Sequence, residues 1–131
     1  MNSRLPAWLA ASGSRPFAWG VCDCCTWVCD WVVAAQGVDP AAAWRGACAS
    51  ARDAARILRG RGLLALAREG CAAAGLAETR DPLPGDVGVV LTEDGPAMAI
   101  RTRTGWAIKA GQGFGVRAAP MLAAWRVECR S

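Results

Sequence analysis

Asp23-Cys24-Cys25-Thr26 places a thiol directly after a residue suited to capping a helix. The apolar run that follows, Cys24–Gln36, stops at Gly37, so Asp23 and Gly37 bracket a predicted helix. A thiol in the first turn of a helix sits in the positive end of the macrodipole, which favours the thiolate. That is one half of nucleophilic catalysis. The other half is a group that takes the proton and later returns it to the leaving group. The chain contains no histidine. Every Cys–His or Ser–His pair, and every imidazole metal ligand, is therefore excluded from within it.

Seven cysteines allow a second chemistry. Cys25 and Cys29 are four apart and share a helix face, and Cys22 precedes them in the loop. Together they form a candidate all-thiolate set for Zn²⁺ or an iron–sulfur cluster, with a fourth ligand from Cys48, Cys71, Cys129 or a neighbouring subunit. The spacing matches neither a paired C-x-x-C knuckle nor a ferredoxin run. The simpler expectation is that these are small buried residues and that no cofactor is bound.

The elements that must position these thiols fall in two halves, divided near Asp81. Helices are predicted over Cys24–Gln36, Asp39–Trp44, Ser50–Arg59 and Leu63–Ala74. Trp27 and Trp31 are four apart, and Val28, Val32 and Ala35 widen the same apolar face. After Asp81, glycine turns separate short apolar runs, which predicts strands at Val87–Leu91, Ala97–Thr102, Trp106–Ala110, Phe114–Arg117 and Ala124–Cys129. The expected fold is α+β, with the central helix packed on a C-terminal antiparallel sheet and residues 1–131 forming one domain. Trp27, Trp31 and Trp44 are expected in the core. Trp8, Trp19, Trp106 and Trp125 fall near element ends, where exposed tryptophan would suit an interface, although core is the commoner role for any one of them.

Composition narrows the partners. With 131 residues, 53% hydrophobic and 20% charged, the chain can bury a core. The net charge is +4, but the arginines are scattered rather than gathered on one stripe, which argues against nucleic acid. Arg52, Arg56 and Arg59 are expected on a solvated helix face, and Arg101 and Arg103 on the outer side of a strand. No segment approaches the ~20 apolar residues of a membrane span. Pro6 and the polar stretch Ser12–Arg15 interrupt the N-terminal apolar run, so no signal peptide is expected. The chain is expected to be made in a cytoplasm, where thiols stay reduced.

Trp19-Gly20, Asp23-Cys24-Cys25-Thr26 and Pro84-Gly85-Asp86-Val87 together resemble the NlpC/p60 branch of papain-like cysteine peptidases. More closely, the segment Pro16–Cys25 and the ending Ala124–Val127 resemble a compact phage and prophage family of that kind, encoded among tail-tip assembly genes. The resemblance implies a papain-like fold and the cleavage of cell-wall peptides. It places Cys24 at the nucleophile, Ala97 where the histidine base should stand, and Lys109 near the third, polar position. With alanine at the base position, the expectation is a catalytically degenerate module in a phage tail tip or baseplate, contacting other tail proteins and assembled into the virion. Two alternatives remain: a working peptidoglycan peptidase using Cys24, or a tail connector stabilised by zinc or an Fe–S cluster.

Overall fold

Asp23 closes a capping box at the start of the longest described helix. Its Oδ1 accepts the backbone N–H of Cys25 at 3.0 Å and of Thr26 at 2.8 Å, while the Asp23 N–H donates to Thr26 Oγ1 at 2.9 Å. This helix, α2 (Cys24–Gln36), ends at Gly37 with φ 77°, the left-handed conformation that glycine adopts without strain. Both ends agree with the sequence expectation. The computed structural model describes residues 4–16, 23–43 and 62–128 of the chain. Trp19, Cys22, Trp44, Cys48, the expected helix Ser50–Arg59 and Cys129 lie outside them.

Among the described residues, two further helices accompany α2. The first, α1 (Leu5–Ser12), was not expected, because Pro6 suggested a break in an apolar run. Proline in the first turn has no intrahelical N–H to lose and its fixed φ suits a helix start, so Pro6 opens α1. The third, α3 (Leu63–Ala73), closes with a Schellman motif in which Leu76 N–H donates to Cys71 O and Gly75 N–H to Ala72 O. The helix expected from Asp39 is instead a turn over residues 40–43 in its described part. Asp39 Oδ1 accepts the Ala41 N–H at 2.9 Å, an Asx turn that competes with helix formation.

The second half of the chain is a six-stranded antiparallel sheet in the order β1-β6-β2-β3-β4-β5. Its strands are β1 (Glu78–Thr79), β2 (Val87–Thr92), β3 (Gly95–Arg101), β4 (Trp106–Ala110), β5 (Gly113–Arg117) and β6 (Met121–Trp125). The fold is thus α+β. The last strand lies earlier than the expected Ala124–Cys129, because Met121–Ala123 already pair with β2 across a register shift. Past Trp125, the backbone N–H groups of Arg126 and Val127 turn instead to Ala77 O and the Asp86 side chain.

Strand alternation sorts the sheet into two faces. Val87, Val89, Met98, Ile100, Ala107, Ala123 and Trp125 face the helices and share a core with Trp27, Val28, Trp31 and Val32 of α2. Val90, Ala99, Trp106 and Ala124 form a smaller cluster on the opposite face. There the Trp106 indole reaches across to β2, where a Cβ on Gly88 would stand 2.9 Å from the ring. Arg101, directly opposite Trp106, lies over the indole at 5.5 Å. Trp106 and Trp125 are each 2% exposed and belong to the core rather than to an exposed interface. Trp8 is half-buried against Trp27 and Trp31, with ring centroids 5.3 and 5.5 Å away. Arg103 is exposed in the turn after β3, beyond the strand it was expected to extend.

Candidate functional site

The candidate site forms where the head of α2 meets β3. Cys24 is the first residue of α2 and half-buried. Its Sγ lies 3.8 Å from the Cys25 Sγ. Hydrogen bonding from the Cys25 thiol, joined by the Met98 backbone and the N–H of Cys24 itself, holds the Cys24 thiol below its ordinary value. Burial and the Asp23 carboxylate push the other way and are outweighed. Cys25 shows the converse. The same hydrogen bond, then burial, then the charge of Cys24 raise its thiol well above the ordinary range. Of the two, Cys24 is the more acidic thiol.

Ala97 is 9% exposed and pairs with Val90 across β2 and β3. Val90 belongs to the cluster on the face away from α2, so Ala97 faces away as well. The neighbouring Met98 occupies the α2-facing position, and it is the Met98 backbone that contacts the Cys24 sulfur. A side chain at 97 would therefore project from the wrong side of the sheet to serve Cys24. Position 97 and Cys24 are thus not brought together on one face of the sheet.

Lys109 is 3% exposed and its Nζ donates to three backbone carbonyls. These are Gly13 O and Gly113 O, both at 3.1 Å, and Arg15 O. An ammonium has three N–H donors, and all three are used. The bonds tie the chain after α1 to the β4–β5 turn. Phe114, opposite Lys109 in β5, completes the junction by packing against Gly13 and stacking on Trp27 at 5.5 Å. Lys109 is a structural clamp here. No local pattern announces this clamp, since its acceptors are carbonyls as far as 96 positions away.

The cysteines do not assemble into a metal centre in the described part of the chain. Cys25 and Cys29 lie on α2 as expected, and Cys22 falls outside the described residues. Among the described residues, no three Cys, Asp or Glu side chains gather to hold an ion. Cys24, Cys25, Cys29 and Cys71 are thiols, not half-cystines. No described helix is long and apolar enough to cross a membrane.

The Pro84–Val87 and Ala124–Val127 motifs of the resemblance meet in a site of a different kind. Asp86, in Pro84-Gly85-Asp86, is 1% exposed and bonds both Arg126 and the Val127 N–H of the C-terminal motif. Gly85 O accepts the Trp31 Nε1–H at 2.8 Å, which anchors the same turn to α2. These contacts hold the sheet to the helix and leave no carboxylate oxygen of Asp86 without a donor.

No curated protein and no solved structure matches the chain. A family model, described as Domain of unknown function (DUF6950), matches residues 1–127. The chain belongs to this DUF6950 family.

Proposed function

We propose that the chain is a structural component of a bacteriophage or phage-derived tail tip or baseplate. In this reading a papain-like fold of the NlpC/p60 type serves as an assembly module after losing its catalytic base. The resemblance of Pro16–Cys25 and Ala124–Val127 to the compact phage family supports it. So does a thiol-headed helix laid on an antiparallel sheet. The observation that carries the loss of catalysis is Lys109. Its ammonium is fully engaged by three carbonyls, so the polar position of the resemblance has become a tie between loops. Cys24 retains a lowered thiol but has no imidazole in the chain to shuttle its proton.

The test uses purified full-length protein with intact peptidoglycan, and particles assembled with wild type or Cys24→Ala. The expected result is no release of soluble muropeptides and unchanged incorporation of Cys24→Ala into particles. Release that depends on Cys24 would favour the second reading, a working cell-wall peptidase, which the lowered Cys24 thiol supports. That activity would require a base donated by another chain. Failure of wild type to copurify with tail particles would remove the assembly reading itself. Metal analysis of the same preparation addresses the zinc or Fe–S connector.

A further inference from the structure

Neighbouring side chains on an α-helix point about 100° apart and do not ordinarily meet. At the head of α2 they do: Cys24 Sγ and Cys25 Sγ are 3.8 Å apart, and neither residue is fully buried. The first turn allows this because Asp23, not a preceding helical turn, caps the backbone of Cys25 and Thr26. The dipole of α2 adds its positive end to the same point.

We propose that Cys24 and Cys25 form an exchange-active dithiol that is oxidised by low-molecular-weight disulfides to a reversible Cys24–Cys25 disulfide. In the first step the Cys24 thiolate bonds to one sulfur of the small disulfide. That S–S bond breaks, and its electron pair leaves on the other sulfur as a thiolate. In the second step Cys25 gives its proton to solvent, bonds to Cys24 Sγ and expels the remaining small thiolate. The protein loses two electrons, and the small disulfide is reduced to two thiols.

The geometry also makes the product reversible. Adjacent Cα atoms across a trans peptide lie about 3.8 Å apart, shorter than the roughly 4.4–6.8 Å of relaxed disulfides. A strained disulfide is readily reduced by thiols. Closing the ring draws Cys25 away from Asp23 Oδ1, which now accepts its N–H at 3.0 Å, so oxidation loosens the cap of α2. The inference rests on the placement of the two thiols and is independent of the tail-tip reading.

The experiment treats the full chain with oxidised glutathione at neutral pH and follows intact mass, with alkylation and peptide mapping to locate each cysteine. The expected product is lighter by two hydrogens, with Cys24 and Cys25 both protected from alkylation and linked to each other. Reduced glutathione in excess should restore both thiols. Cys25→Ser should instead accumulate a glutathione adduct on Cys24, and Cys24→Ser should lose the reaction at Cys25. A persistent adduct on wild-type Cys24, a link from either residue to any other cysteine, or no reaction at the pair would each overturn the proposal.

Discussion

The Asp86 carboxylate accepts the Arg126 Nε–H at 2.9 Å, joining the turn before β2 to the chain leaving β6. Asp86 also accepts the backbone N–H of Leu83 at 2.8 Å and of Val127 at 3.0 Å. Arg126 spends its Nη2 on Thr79 Oγ1 and Asp81 O, both at 3.1 Å. Burial is unequal: the Asp86 side chain is 2% exposed and that of Arg126 37%. Removing the carboxylate strands three donors, two of them backbone, whereas removing the guanidinium lets water reach part of the gap. Asp86→Ala is expected to cost about 3–5 kcal/mol and Arg126→Ala about 1–2 kcal/mol. Urea unfolding of both variants checks the order, and equal costs would contradict it.

Lys109 supplies a second test, because a clamp and a proton carrier respond differently to its removal. Lys109→Met keeps the aliphatic stem but leaves three carbonyls without their donor. The expected loss is about 2–4 kcal/mol of stability. The alkylation rate of Cys24 in the folded variant is expected to stay within about twofold of wild type, since its thiol is set first by the hydrogen bond from Cys25 and by the Met98 backbone, not by Lys109. A large fall in that rate with little loss of stability would assign Lys109 to proton transfer instead.

The limits of α2 were legible because both signals are local: an Asp that caps within three residues and a glycine that accepts positive φ. The middle strands were legible for the same reason, being short apolar runs between glycine turns. What escaped depends on distance or direction. Lys109 and Asp86 find partners 96 and 40 positions away, and no spacing rule announces such pairs. That Ala97 faces away from α2 was not legible either, because a strand offers two faces and its pairing with Val90 sets which one a residue takes. Pro6 misled in the opposite sense, since the same residue that breaks a helix interior opens its first turn.

Cys71 gives a pH dependence. It sits in the core at 0% exposure, and burial followed by the Glu78 charge pushes its thiol from 9.0 up to about 12. The unfolded chain therefore releases this proton before the folded chain does. The contribution is whole below pH 9 and is lost progressively as pH rises towards about 12, at about 1.4 kcal/mol per pH unit within that window. Cys25 is shifted in the same direction, by its hydrogen bond to Cys24 before burial, and adds to the alkaline loss. Cys71→Ala should lower stability at neutral pH by roughly 1 kcal/mol through lost packing, yet flatten the alkaline decline. The measurement is the slope of urea midpoint against pH, and parallel slopes for the two proteins would refute the assignment.

Gly70 lies inside α3, where exchanging glycine for alanine ordinarily gains about 1 kcal/mol in helix propensity. Here the opposite is expected. A Cβ on Gly70 would stand 2.0 Å from the Pro40 carbonyl oxygen and 3.1 Å from its carbon. The obstruction is backbone, so no rotamer change relieves it. The turn that carries it is fixed by the Asp39 bond to the Ala41 N–H, and Ala41 is fully buried, so the turn cannot retreat without opening the core. Forcing extra volume into such a contact costs about 1–3 kcal/mol, enough to cancel the propensity gain or exceed it. Gly70→Ala should therefore lower the thermal midpoint, and a higher midpoint than wild type would show that α3 does not approach the Pro40 turn this closely.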